Sequence, residues 1–207
     1  MQALRSHGPK ARLPHSREVL ETARRQWWSD KSTAHEILWR QAAIAHSAAR
    51  AFAGDWGQAA MAADPNPQWV PFDSDQWPHP TTPATTRLAA LMLINNAVSR
   101  LHCKTGWTHL TAQRALNYIV QLGDPTLSPW RAVALLLIAH ERGTNRAEAA
   151  AYASAALPFL NRIRQPELLS YANWLLGRGD GLAHPHRLRP NRPAGFRATE
   201  CLYYFND

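Results

Sequence analysis

Hydrophobic residues recur at helical spacing in one segment of this chain after another, and a glycine or a proline follows nearly every segment. Residues 109–122 show the pattern clearly, because Leu116 and Ile119 fall on the apolar side of a helix and Gly123 ends it. Between residues 85 and 176 such segments alternate with connections of roughly two to six residues, which is the spacing of helical hairpins. The sequence therefore predicts an all-α protein in which antiparallel helical hairpins form a compact bundle.

Capping residues and helix breakers predict the ends of the individual helices. Ser16 and Asn145 are each expected to cap a helix, and Thr33 begins a capping-box pattern. The second helix is expected to reach about Phe52 or beyond, and Gly54 and Gly57 bracket its end. The predicted helices cover residues 17–29, 33–52, 85–103, 109–122, 128–142, 146–164 and 166–176.

Stretches rich in proline and basic residues break this helical pattern. The predicted organisation is a basic irregular arm over residues 1–15, a helical domain over 16–178 interrupted by a Pro/Trp-rich loop at 63–83, and a basic Pro-interrupted tail over 179–207. We expect Trp69, Phe72 and Trp77 to pack the loop on the helical body. The ECLYYF sequence at 200–205 is expected to add a short strand or to dock on the helices through its aromatic side chains.

Cysteine usage and hydropathy exclude several classes of protein. Cys103 and Cys201 are the only cysteines, and their spacing fits neither a disulfide framework nor a thiolate zinc site. The longest apolar run, residues 132–139, is far shorter than the roughly 20 residues of a membrane span, and no secretory signal precedes it. We therefore expect a cytoplasmic protein without a membrane partner.

No arrangement of side chains in the sequence indicates a metal, a cofactor or a catalytic centre. His35 and His46 lie on one helix, but eleven residues at the helical rise separate them by roughly 16 Å, so they cannot share an ion. His102, Cys103 and His109 span a turn without a further ligand nearby. We predict no metal ligand, no cofactor and no catalytic residue, and an enzyme with an unrecognised site stays an open alternative.

Positive charge is the strongest functional signal in the sequence. The chain has 23 Lys+Arg against 15 Asp+Glu, a formal net charge of +8, and only three of the cations are lysines. Arginine forks match phosphate groups bidentately and stack on aromatic rings. A GC-rich genome also favours arginine over lysine, although it does not explain the net sign. The charge is concentrated in residues 1–25 and 101–164, each with a net charge of +4.

This charge distribution predicts a non-enzymatic protein that binds RNA or DNA through the phosphate backbone, as an accessory subunit of a larger complex. Arginines after residue 100 are expected to form a stripe along stacked hairpins, although a scattered, solvated surface explains them equally well. The predicted nucleic-acid-binding residues are Arg17, Arg24, Arg25, Trp28, Arg114, Arg131, Arg142 and Arg146. The alternative is a helical-repeat-like adaptor that binds another protein through its Trp/Pro-rich loop and helical grooves.

Overall fold

A computed structural model describes residues 9–65, 78–142, 145–163 and 166–177. These residues form eight α-helices and one 3-10 turn, without a strand, which confirms the predicted all-α class. The α-helices are α1 (Pro9–Asp30), α2 (Thr33–Phe52), α3 (Trp56–Ala62), α4 (Pro83–Cys103), α5 (Thr108–Leu122), α6 (Ser128–Glu141), α7 (Arg146–Ile163) and α8 (Pro166–Leu175). None of the described helices has an apolar stretch long enough to cross a bilayer.

The helices pack largely in chain order around one core. α1 packs on α2, α2 on α4, and each later helix on its predecessor, while the short α3 contacts both α2 and α4. Residues 132–139 of α6 are all buried, so the longest apolar run of the sequence lies in the core. Burying a side chain such as Leu136 in this core contributes about 1.5–3 kcal/mol.

Several predicted helix ends are confirmed by capping contacts. The side chain of Asn145 accepts a hydrogen bond of 3.3 Å from the backbone N–H of Glu148 at the start of α7. Gly123 ends α5 with a φ of 60°, a left-handed conformation that glycine adopts without strain. Thr82 and Thr85 form a capping box at the start of α4, two residues before the predicted start of that helix.

The start of α1 differs from the sequence-based prediction. α1 begins at Pro9, so residues 9–15 are helical rather than part of an irregular arm, and Ser16 lies inside the helix rather than at its cap. Pro9 is tolerated at the first helical position, where its missing N–H has no intrahelical partner. The Ser16 hydroxyl lies 2.8 Å from His46 Nδ1 on α2, so tertiary contacts help to hold α1 helical although Pro14 favours a break.

α2 ends at Phe52, before Gly54, as predicted, but the short helix α3 that follows was not predicted from the sequence. Asp55 caps α3 by accepting a hydrogen bond of 3.2 Å from Gln58 N, so Gly57 lies inside a separate short helix. Asn96 of α4 donates a hydrogen bond of 2.7 Å to the carbonyl oxygen of Ala60. Tertiary contacts of this kind stabilise a seven-residue helix that would not form alone.

A buried ion pair anchors the chain where the Pro/Trp-rich stretch returns to the helices. Arg40 and Glu36 of α2 pair at 2.7 Å and are almost fully buried. Arg40 Nη2 donates to the carbonyl oxygen of Pro78 at 2.9 Å, and the Thr81 hydroxyl donates to Glu36 Oε2 at 3.1 Å. The pair thereby connects α2 to the segment that leads into α4.

Parts of the predicted organisation lie outside the described residues. These parts are residues 1–8 of the basic arm, residues 66–77 of the Pro/Trp-rich loop with Trp69, Phe72 and Trp77, and the whole tail at 179–207 with its ECLYYF sequence. Pro83, the last residue of the predicted loop, is the first residue of α4.

Candidate functional site

A cleft of about 570 Å³ lies where α1, α2 and α3 meet. Its walls combine charged, polar and apolar side chains. The lining residues are Arg17, Leu20, Glu21, Arg24, His46, Arg50, Gln58, Met61, Ala62 and Asp64. Two of the predicted nucleic-acid-binding residues, Arg17 and Arg24, are thus brought together with His46 and Arg50, which were not predicted to act with them.

Most charged groups around the cleft are paired with an opposite charge. Arg17 pairs with Glu21 at 2.7 Å on α1, and Arg50 pairs with Asp55 at 3.1 Å. On the far side of the cleft, Asp64 pairs with Arg100 of α4 at 3.1 Å. The paired groups leave little net charge among themselves.

Arg24 differs from the other arginines of the cleft. Its Nε and Nη2 atoms are buried, yet they donate no hydrogen bond in the described part of the chain. Burial lowers the pKa of the Arg24 guanidinium, and the carboxylates of Asp64 and Glu21 partly oppose that effect from a distance. The group stays positively charged at neutral pH, since arginine does not deprotonate in proteins. Buried polar groups in proteins are normally hydrogen-bonded, so these two nitrogens are donors that can still take an acceptor.

His46 is a neutral member of the cleft. Burial lowers its pKa to about 4, and the nearby Arg50 and Arg17 charges act in the same direction. Arg50 Nε lies 3.4 Å from His46 Nε2 and can only donate, so Nε2 accepts and the ring proton is assigned to Nδ1. Nδ1 then donates to the Ser16 hydroxyl, which donates to the Leu13 carbonyl oxygen at 3.1 Å. This chain of contacts fixes the wall formed by α1 and α2.

Trp28 lies beyond the cleft, near the end of α1. It is 49% exposed and meets the buried Trp27 edge to face, with 4.8 Å between ring centroids. Trp27 is in turn stacked on Trp39 of α2 at 4.5 Å. Lys31 Nζ lies 3.2 Å from the Trp28 ring centroid, which is a cation–π contact. An aromatic surface next to a cation is therefore open to solvent at this end of α1.

Arg25 lies on α1 but does not line the cleft. Its side chain is exposed, and its Nε donates only a long hydrogen bond of 3.4 Å to the carbonyl oxygen of Glu21. Arg24 and Arg25 are therefore neighbours in sequence that occupy different environments.

The four remaining predicted residues lie on or next to α5, α6 and α7. Arg114 is half-buried on α5, where its charge lowers the pKa of Tyr118 against the larger, raising effect of burial. The Arg131 guanidinium lies 4.8 Å from the Phe159 ring centroid. Arg142 is exposed and lies 3.6 Å from Glu148, and Arg146 is exposed at the start of α7. Packing against Phe159 gives Arg131 a structural role that the sequence did not indicate.

The sequence contains only a weak signal for His46 and Arg50, which line the cleft but were not predicted as site residues. His46 and Arg50 are four residues apart on α2, which places two polar side chains together on a helix otherwise rich in alanine. The cleft itself needs α3, whose existence was not predicted. Within the described ranges, no three His, Cys, Asp or Glu side chains are grouped so as to hold a metal ion.

Comparisons of the chain with protein-family models, with curated proteins and with solved structures found no match. The functional proposal therefore rests on the residues and geometry described above.

Proposed function

We propose that this chain is a non-enzymatic helical protein that binds nucleic acid through its phosphate backbone, as an accessory subunit of a larger complex. The observation that carries the proposal is Arg24, a cation in a solvent-open cleft whose buried guanidinium nitrogens lack a hydrogen-bond acceptor. A phosphate oxygen supplies such an acceptor, and guanidinium groups bind phosphate with fork geometry. The net charge of +8 attracts polyanions toward this surface.

The arrangement of the predicted residues on α1 supports the same proposal. Residues at spacings of three, four and seven share one face of a helix, so Arg17, Arg24 and Trp28 lie along one side of α1. This row combines guanidinium groups with an exposed aromatic ring. Backbone-directed binding of nucleic acid uses the same two types of side chain.

The proposal includes the arrangement of the helices as antiparallel hairpins in a compact bundle. Two contacts between α1 and α2 support it, because Ser16 meets His46 and Trp27 meets Trp39, in opposite directions along the two helices. Such hairpins would bring Arg114, Arg131, Arg142 and Arg146 onto neighbouring helices.

Salt dependence tests the proposal. Binding of fluorescently labelled RNA and DNA should be measured by anisotropy at 50 and 200 mM salt, after co-purifying nucleic acid has been removed. For three to four phosphate contacts to a single strand, the affinity should fall roughly 20- to 50-fold over this range. No detectable association with single- or double-stranded RNA or DNA at 50 mM salt would contradict the proposal. Salt-insensitive binding of a protein partner instead would favour the adaptor alternative.

A further inference from the structure

The side chains that line the cleft carry a net charge that one negative charge would balance. Its lining contains three arginines, Arg17, Arg24 and Arg50, and two carboxylates, Glu21 and Asp64. The formal charge of the described lining is therefore +1 with His46 neutral. A phosphodiester group carries one negative charge, so it balances the lining. Arg24 is the guanidinium that would bind it, since Arg17 and Arg50 already have carboxylate partners.

The size and the apolar part of the cleft indicate a ligand larger than a phosphate ion. A volume of about 570 Å³ falls in the range of small-molecule sites and leaves room beside the anion. Leu20 and Met61 contribute apolar side chains to the same walls, and Met61 is 66% exposed. A sugar or a base attached to the phosphate can pack on these side chains.

The distance along α1 fits a base next to that phosphate. Trp28 lies four residues after Arg24, about 6 Å further along the helix and on the same side. Trp28 is 49% exposed, so a base can reach the part of its ring that Trp27 and Lys31 do not cover. A base stacks on an aromatic side chain only when it is not enclosed in a duplex, whereas single strands bind by this combination of basic groove and aromatic platform.

We infer that this surface binds single-stranded nucleic acid, with one backbone phosphate on Arg24 in the cleft and a neighbouring base stacked on Trp28. The inference rests on the proposed function, because it names the form of nucleic acid that the same surface takes. A paired duplex and a free mononucleotide are the two other ligands that share its chemistry.

Two neighbouring arginines give a matched test of the phosphate contact. Arg24→Gln and Arg25→Gln remove the same charge. The sequence predicted both residues to bind nucleic acid, but only Arg24 lines the cleft, so the inference assigns Arg25 no phosphate contact in it. Binding of a labelled ten-nucleotide oligothymidylate at 50 mM salt should weaken at least tenfold with Arg24→Gln and at most threefold with Arg25→Gln. Arg24→Lys keeps the charge and loses the fork geometry, so it should fall between the two. Circular dichroism spectra and melting curves of all three variants identify any loss of folding, and Arg24→Lys preserves the test if Arg24→Gln does not fold.

Substitutions of Trp28 test whether a base stacks on its ring. Replacing Trp28 by Ala should weaken oligothymidylate binding roughly 5- to 100-fold, while Trp28→Phe should retain most of the affinity. Neither substitution should change the affinity for a ten-base-pair duplex, which the wild-type protein should bind less tightly than the single strand. Thymidine 5′-monophosphate should bind far more weakly than the oligonucleotide.

Three results would overturn the inference. They are equal effects of Arg24→Gln and Arg25→Gln, equal or tighter binding of the duplex, and equal binding of the mononucleotide. Each of these leaves the proposed function standing as long as nucleic acid binds in a salt-dependent manner. Absence of any binding at 50 mM salt removes the proposed function and the inference together.

Discussion

At the scale of single residues, the hydrogen bonds of His46 make the stability of the protein dependent on pH. The ring accepts from Arg50 at one nitrogen and donates to Ser16 at the other, so its neutral form satisfies both contacts. Protonation would place an N–H against the Arg50 N–H and a positive charge among Arg17, Arg24 and Arg50. The low pKa of His46, about 4, reflects burial and this repulsion.

We predict that His46 reduces the stability of the folded protein as the pH falls from about 6.5 to 4. The unfolded chain binds a proton at the ordinary pKa of histidine, and the folded chain binds it only near pH 4. Over this window the free energy of unfolding should therefore fall by up to about 3 kcal/mol. Urea unfolding of the wild type and of His46→Asn at pH 7 and pH 4.5 measures the effect. The variant lacks this titrating group, so an equal loss of stability in both proteins would contradict the prediction.

The buried pair of Arg40 and Glu36 gives a second prediction at this scale. Arg40→Met should destabilise the protein by about 3–5 kcal/mol, because it leaves the Glu36 carboxylate buried without its cation. Combining it with Glu36→Gln should restore part of the loss. The matched control is Arg17→Met in the exposed pair with Glu21, which has the same spacing and should change the free energy of unfolding by less than about 1 kcal/mol. Thermal and urea unfolding measure all three variants, and similar losses for Arg40→Met and Arg17→Met would contradict the prediction.

At the scale of helices, the sequence predicted the elements whose signals are local. Gly123 and Asn145 act through residues within one turn, so their capping roles could be predicted. The start of α1 and the existence of α3 depend on contacts that are distant in sequence. Ser16 bonds to His46, thirty residues away, and Asn96 bonds to Ala60, thirty-six residues away. Helical periodicity contains no information about such contacts.

The candidate site likewise combines features that local sequence signals predict with features that depend on contacts distant in sequence. The charge and the amphipathic pattern of α1 predicted Arg17, Arg24 and Trp28 as a set. They did not show that α2 and α3 complete a cleft around Arg24, or that Arg50 takes part. For the arginines of α5–α7, the sequence predicted exposed cations, whereas packing against Phe159 gives Arg131 a structural contact as well. Net charge thus indicates a type of ligand, while the position of the site depends on tertiary packing.

Helix α5 offers a direct test of its orientation in the core. Ile119 is buried at 3% exposure, whereas its neighbour Val120 is 53% exposed. Ile119→Ala should lower the free energy of unfolding by about 2–5 kcal/mol, since it leaves a cavity against α4 and α6. Val120→Ala on the same helix should change it by less than about 0.5 kcal/mol. Urea denaturation compares the two variants, and a larger loss for Val120→Ala would show that the helix is rotated.

At the scale of the whole molecule, the predicted arginines fall into two groups. One group lies on α1, and the other lies on or beside α5, α6 and α7. The principal helix contacts run from α1 to α2, from α2 to α4 and from α4 to α5, so two helices lie between the groups. Packed helix axes are about 8–10 Å apart, so the three steps from α1 to α5, the first helix of the second group on this path, add up to about 24–30 Å. A nucleic acid strand has to cover that distance to contact both.

The last prediction follows from this separation. At roughly 3.4 Å per nucleotide of a stacked strand, about seven to nine nucleotides cover the path from α1 to α5, the first helix of the second group. A four-nucleotide oligothymidylate should therefore bind the α1 group alone, and a twenty-nucleotide one should bind both. The double variant Arg142→Gln, Arg146→Gln should leave the affinity for the short oligonucleotide unchanged. For the long oligonucleotide, the double variant should weaken binding and reduce the slope of log affinity against log salt by about 1.4, since two released counterions are lost.

Anisotropy titrations at four salt concentrations measure these slopes. No loss of affinity for the long oligonucleotide would show that the second group binds no part of the strand. An equal weakening for both lengths would show that even a four-nucleotide strand depends on the second group, which contradicts the separation of the two groups.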